Sequence, residues 1–95
     1  MKDQEQAMRE GRPEASFEAL LLMLSSTTLI ALGEAPDPLG EKKQDLDQAR
    51  WAIDLLGLLK GKTRGNLTSQ EEGLLDDLLY DLRMRYLTRA GEVKA

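Results

Sequence analysis

The chain has 95 residues, of which 41% are hydrophobic and 32% charged, and its formal net charge is −4. A chain of this length and composition forms one small domain and is neither a disordered tail nor an integral membrane protein. It has no cysteine, no histidine and no calcium-loop spacing, so it lacks the main components of disulfides, zinc sites and acid–base catalysis, and we expect no enzyme activity, catalytic residue, metal or cofactor.

Residues 1–12 are polar and charged and are predicted to be a disordered lead-in. A first helix is predicted over about 14–32, with Pro13 as its first residue or Ser16 as an alternative N-cap. Its stretch Phe17–Leu32 has one charged residue and no continuous polar face. Such a helix is either buried on all sides or lies in lipid. Its 16 residues fall short of the ~20 that span a bilayer, so we favour a buried central helix.

The middle of this helix carries four hydroxyl residues in a row, Ser25 to Thr28. Their hydroxyls can bond to carbonyls one turn earlier, and their small size allows close packing of helices. We therefore expect this patch to be the place where neighbouring helices of an oligomer come closest.

The segment 33–44 is predicted to be a semi-rigid connection, because its two prolines fix backbone angles and disfavour regular structure. Leu39 is expected to tuck inward as its anchor. Glu34 and Asp37 have two interpretations. They could form an acidic lip for a ligand or partner, or they could be ordinary solvated loop residues, which is the interpretation we favour.

A second helix is predicted over about 45–64, capped by Asp45. Its polar strip is narrow and its apolar arc is wider than one packing face requires, so the helix should contact at least two neighbours. Trp51 has two interpretations of equal weight, as a core residue or as a subunit-interface anchor. The polar strip consists of Asp47, Arg50, Asp54 and Gly57.

A third helix is predicted over about 68–89, because Thr68 and Glu71 have the spacing of a capping box. Asp81 and Arg85 have the i,i+4 spacing of a stabilising ion pair. Besides its main apolar stripe the helix has a smaller one, which a monomer would leave in water. The smaller stripe consists of Tyr80, Met84 and Leu87.

The three helices have more apolar surface than they can cover mutually, and the simplest resolution is a homodimer or tetramer. The predicted fold is therefore an all-α, three-helix domain over residues 13–90, completed by homo-oligomerisation, with a frayed tail over 91–95. The interface candidates are Phe17, Leu20, Met23, Leu24, Thr27, Ile30, Trp51, Leu55, Tyr80, Met84 and Leu87.

Three segments resemble, in order, a small bacterial family known only as domain of unknown function 1844. The segments are LGEAPDP (32–38), IDLLGLLKGKTRGNLT (53–68) and LLYDLRMRY (78–86). The likeness covers about Phe17–Leu87 and is specific because three separate segments match. It implies a short, mostly helical, cytoplasmic bacterial protein. No catalytic residue can be carried over, because the family supplies none.

Two functions of different classes fit the sequence. The first is a non-enzymatic, oligomeric interaction or scaffold module whose partner is itself or an unidentified protein, as the surplus apolar surface indicates. The second is a carrier of a hydrophobic small molecule such as a fatty acyl chain, held in a cavity between helices. The expected lining of that cavity is Met23, Leu24, Thr27 and Thr28, with Lys60 or Arg64 as the partner of a carboxylate.

Two further interpretations have less support. Association with a membrane surface through an exposed first helix stays open and would show as detergent-dependent solubility. We expect no nucleic-acid binding, because the net charge is −4 and because Arg83, Arg85 and Arg89 alternate with aspartates that weaken phosphate attraction.

Overall fold

A computed structural model of the chain describes residues 14–91. This part of the chain folds into three α-helices and contains no strand: α1 (Phe17–Ala31), α2 (Leu46–Lys62) and α3 (Ser69–Arg89). The prediction of an all-α, three-helix domain is confirmed.

The predicted helix bounds lie within three residues of the observed ones at each end. The predicted lead-in over 1–12 and all but the first residue of the predicted tail over 91–95 lie outside the described residues.

Each helix begins at a polar side chain that binds amides of the first turn. The side chains of Ser16 and Asp45 each accept a hydrogen bond of 3.0 Å from an amide three residues on. Thr68 accepts one of 3.1 Å from the amide of Glu71, whose carboxylate accepts one of 2.8 Å from the amide of Thr68. The predicted capping box is therefore present. Because Ser16 is the cap, α1 begins at Phe17 rather than at Pro13.

The end of α1 is a turn that requires a left-handed residue, and Gly33 supplies it with φ +79°. The amide of Gly33 donates to the carbonyl of Ile30 at 3.0 Å, and the amide of Glu34 donates to that of Leu29 at 2.9 Å. This is the paired hydrogen bonding of a Schellman motif. The amide of Asp45 then donates to the carbonyl of Ala31 at 2.7 Å, so the start of α2 is held against the end of α1.

The core lies where the three helices meet, and each helix contributes one stripe to it. The main cluster combines Leu21 of α1 with leucines and an isoleucine of the other two helices. Its buried members are Leu21, Ile53, Leu56, Leu75, Leu79 and Leu82. A second cluster, Ala31, Leu32 and Ala49, joins α1 to α2.

The hydroxyl patch of α1 divides between the core and the surface. Ser25 and Thr28 are buried within the single chain, and the Thr28 hydroxyl donates to the carbonyl of Leu24 at 2.8 Å, so burial leaves no unpaired donor. Ser26 and Thr27 are exposed. Half of the patch that we expected between copies therefore packs inside one copy.

The connection after α1 is organised by Asp37, whose carboxylate accepts hydrogen bonds of 2.9 Å from the amides of Leu39 and Glu41. The amide of Asp37 also donates to the carbonyl of Glu41 at 2.8 Å. These bonds close a turn with Leu39 at its tip, where its side chain is 83% exposed. The expectation that Leu39 tucks inward is wrong.

Truncating a core leucine should destabilise the protein far more than truncating Leu39. Leu56 is fully buried, so Leu56→Ala removes packed methyl groups and leaves a cavity, at a cost of roughly 2–5 kcal/mol. Leu39→Ala makes the same chemical change in water and should alter stability by less than about 0.5 kcal/mol. Urea unfolding followed by circular dichroism measures both. Similar losses for the two variants would contradict the placement of the core.

Candidate functional site

Only one side of α1 is covered by the other helices of the chain. Leu22 and Met23 are exposed, Met23 to 61%, and Leu20 is exposed as well. The stretch from Ala19 to Gly33 contains no charged residue, so this surface is apolar. In a single chain one side of α1 is exposed, because two neighbouring helices cannot surround a third, and the expected burial on all sides requires further copies of the chain.

The outward side of α1 includes an apolar stripe next to α2, in which Ile30 is half-buried and the other members are exposed. Leu20, Met23, Thr27 and Ile30 follow i, i+3, i+7 and i+10 spacing, which places them along one side of the helix. Thr27 and Ile30 line a shallow depression together with Asp45 and Gln48 at the start of α2, and the charged Asp37 and Lys43 of the connection line it as well. This stripe therefore runs along the boundary between the two helices.

A second apolar stripe lies on α2. Trp51, Leu55 and Leu58 follow Gln48 at intervals of three, four and three residues, so they extend along the side of α2 on which Gln48 lies. Trp51 is 57% exposed and Leu58 is exposed to the same extent, while Leu55 is half-buried. The interpretation of Trp51 as a core residue is wrong.

We call this combined surface the α1–α2 face. It contains six large hydrophobic side chains and one threonine, and the charged Asp37, Lys43 and Asp45 border it at the start of α2. Its members are Leu20, Met23, Thr27, Ile30, Trp51, Leu55 and Leu58. The other interface candidates lie elsewhere. Phe17 and Leu24 pack against the core of their own chain. On α3, Tyr80 is 71% exposed, and Met84 and Leu87 are half-buried.

The cavity expected for a hydrophobic cargo is not assembled by the single chain. Thr28 is fully buried and Leu24 packs against the core, so two of the four expected lining residues are used internally. Lys60 forms an ion pair with Asp76 of α3, while Arg64 is exposed beyond the end of α2.

A cluster of charges joins the end of α1 to α3. Glu34 accepts hydrogen bonds from Arg85 at 2.6 Å and from Arg89 at 3.0 Å, and Arg85 also donates to Asp81 at 2.8 Å. The predicted Asp81–Arg85 pair is therefore present. The Glu34 side chain is only 17% exposed, so Glu34 is neither a free acidic lip nor an ordinary solvated loop residue. It fixes the connection to α3.

These contacts shift the pKa of Glu34 and the pKa of Arg85. Partial burial raises the pKa of Glu34, but hydrogen bonds from Arg89 and Arg85 and their positive charges outweigh it, and the net shift is downward. Hydrogen bonds to Asp81 and then to Glu34 raise the pKa of Arg85. Two of the three arginines considered for nucleic-acid contact, Arg85 and Arg89, are therefore paired with carboxylates.

Sequence reasoning missed this cluster because the partners are 51 and 55 residues apart. The available signal was the i,i+4 spacing of Arg85 and Arg89, which places two cations on one side of α3 with a single acidic partner, Asp81, on that helix.

The described residues form neither a metal site nor a membrane-spanning helix. Within 14–91, no group of three acidic side chains could hold a metal ion. None of the helices in this range is both long enough and apolar enough to cross a membrane.

Comparison with known proteins gives one match. The model of a family described as Domain of unknown function (DUF1844) matches residues 14–88, which is most of the chain. The resemblance stated from the three sequence segments is thereby confirmed. No curated protein and no solved structure matches the chain.

The Glu34 cluster predicts a specific pH dependence of stability. Because its pKa is lowered in the folded state, Glu34 stabilises the fold above its unfolded pKa of about 4.3, and this contribution is lost as the pH falls through the folded pKa. Glu34→Gln should therefore lower the unfolding free energy by about 1 kcal/mol at neutral pH. The difference from the unmodified protein should shrink in acid.

Urea unfolding of both proteins at several pH values measures this difference. Glu41→Gln is the matched control, because Glu41 pairs only with the exposed Lys43 and should change stability little at any pH. If Glu34→Gln lowers the unfolding free energy by the same amount at neutral and at acidic pH, the ion pairs of Glu34 do not contribute to stability.

Proposed function

The chain belongs to the family of domain of unknown function 1844, which brings no activity with it, and we propose from its surface that it is a non-enzymatic, homo-oligomeric helical interaction module of the bacterial cytoplasm. The α1–α2 face is the surface through which two copies associate. The observation that carries this proposal is the exposure of large apolar side chains on two neighbouring helices, above all Met23 of α1 and Trp51 of α2.

The composition of the α1–α2 face is typical of an interface core. Tryptophan and methionine are enriched in such cores and charged residues are depleted. On this face Trp51 and Met23 each expose more than half of their surface. Monomeric proteins seldom expose a contiguous apolar surface of this kind, because exposing it to water is unfavourable.

The absence of charge on one side of α1 allows a second copy to be the occupant although both copies are acidic. Each copy carries a net charge of −4, so two copies repel at most orientations. The uncharged stretch Ala19–Gly33 is a region where they can meet without placing like charges against each other. A two-fold arrangement is the commonest for such self-complementary surfaces. The small residue Thr27 lies in the middle of α1 on this face and allows the helices of two copies to approach closely.

Placing a charge on the α1–α2 face should dissociate the oligomer. In Met23→Glu a carboxylate would have to be buried against the apolar partner surface, which is strongly unfavourable. Tyr80→Glu is the matched control, because Tyr80 is even more exposed but lies on α3. Sedimentation velocity at micromolar concentration should give a monomer for Met23→Glu and an oligomer for both Tyr80→Glu and the unmodified protein.

A second variant tests the approach of the two α1 helices. Thr27→Leu adds a large side chain to a position of the α1–α2 face that is exposed in the single chain, so it should leave monomer folding intact but weaken assembly by overpacking, at a cost of roughly 1–3 kcal/mol. A folded monomer for the unmodified protein would overturn the proposed function. Dissociation by Tyr80→Glu but not by Met23→Glu would move the interface to α3.

A further inference from the structure

A second surface feature lies between α2 and α3 and shares no residue with the α1–α2 face. It is a cleft of about 370 Å³, a volume within the range of small-molecule sites. Three residues come from each helix: Arg50, Ile53, Asp54, Arg83, Tyr86 and Leu87. We call it the α2–α3 cleft.

The α2–α3 cleft carries two arginines that the described structure does not pair. Neither Arg50 nor Arg83 forms an ion pair or a side-chain hydrogen bond with any residue in 14–91, whereas Arg85 and Arg89 both bind Glu34. The one carboxylate in the cleft, Asp54, contacts neither arginine within ion-pair distance. Two guanidinium groups beside one carboxylate give the cleft a local positive excess in a chain whose net charge is −4.

Gly57 makes room for one of these arginines. Glycine is unfavourable in a helix interior, and Gly57 lies in the middle of α2. A Cβ atom at Gly57 would lie 3.2 Å from Nη2 of Arg83, whereas one at Gly61 or Gly73 would meet nothing within 4 Å. The guanidinium of Arg83 therefore lies directly against the α2 backbone, and the glycine in this position permits that placement.

An apolar strip leads away from the two arginines. Arg83 and Leu87 also line an adjoining depression of about 360 Å³, which includes Tyr80 and Met84. Leu87, Met84 and Tyr80 follow one side of α3 over about 10 Å, at ~1.5 Å per residue. Lys60 and Asp76 at the far end form an ion pair with each other, so they add little net charge.

We propose that the α2–α3 cleft binds a carboxylate that carries an apolar chain. The carboxylate lies between Arg50 and Arg83, because guanidinium groups match the planar geometry of a carboxylate. The chain lies along Leu87, Met84 and Tyr80. A free alkyl carboxylate and the C-terminal apolar residue of a peptide share this chemistry, and the test below distinguishes the two sources.

The experiment is a titration of the ¹⁵N-labelled protein with octanoate, followed by amide chemical shifts. We expect saturable shifts at Ile53, Tyr86 and Leu87. Arg50→Gln and Arg83→Gln should each weaken binding by about threefold or more, whereas Asp54→Asn should strengthen it by removing a repelling charge. Arg64→Gln is the matched control, because it removes the same charge outside the cleft and should leave the affinity unchanged.

A pair of glycine variants tests the position of Arg83 without changing any charge. Gly57→Ala brings a methyl group against the guanidinium and should weaken octanoate binding, although alanine favours the helix. Gly61→Ala makes the same change where nothing is close and should have no effect on binding. Urea unfolding of each variant confirms that it is folded.

Three further probes define the ligand chemistry. Octylamine, with the opposite charge, and acetate, without the chain, should both bind more weakly than octanoate. A short peptide ending in two leucines with a free carboxylate, compared with its amidated form, tests the second source. If this peptide causes the same carboxylate-dependent shifts and octanoate does not, the cleft recognises a polypeptide end.

Four results would overturn the proposal. They are the absence of saturable shifts with both octanoate and the peptide, shifts at Leu22 and Met23 instead of the cleft, equal binding of octylamine, and equal loss in Arg64→Gln and Arg83→Gln.

Discussion

The rest of the structure depends on one constraint, which is that a nearly uncharged helix has only two neighbours in its own chain. In a three-helix domain, α2 and α3 cover the side of α1 that carries Leu21 and Thr28, and the opposite side faces outward. That outward side has no charged residue from Ala19 to Gly33. Because exposed apolar area is unfavourable in water, covering the outward side of α1 is favourable. The proposed function assigns that cover to a second copy of the chain.

The end of α1 shows how the chain holds this helix in place. The Schellman motif at Gly33 turns the chain so that Glu34 reaches Arg85 and Arg89. The amide bond from Asp45 to Ala31 ties α2 to the same end. The polar contacts that tie α1 to the other helices therefore lie at its C-terminal end, whereas in its middle the hydroxyls of Thr27 and Thr28 donate to carbonyls of α1 itself.

The parts of the fold that sequence predicted are those decided by neighbouring residues. At Asp45 and Thr68 the helix start depends on a side chain that binds backbone amides within four residues of it. At Gly33 the helix end depends on local backbone geometry. Leu39 is a local failure, since the turn closed by Asp37 holds it outward, whereas the failures at Trp51 and Glu34 involve contacts between distant segments. Helical spacing alone does not decide whether Trp51 is buried or exposed, because its burial depends on where α1 packs against α2. Glu34 found its partners on the last helix.

The two proposed surfaces lie on different sides of α2, and this explains why that helix has both a wide apolar arc and a narrow polar strip. The apolar stripe with Trp51 and Leu58 belongs to the α1–α2 face, whereas Arg50, Asp54 and Gly57 of the polar strip face α3. Arg50 and Asp54 line the α2–α3 cleft, and Gly57 admits Arg83 beside it. One helix thus serves an apolar face suited to a second copy and a cationic cleft suited to a small anion. Because the two surfaces share no side chain, the proposed association and the proposed ligand binding should respond to different substitutions.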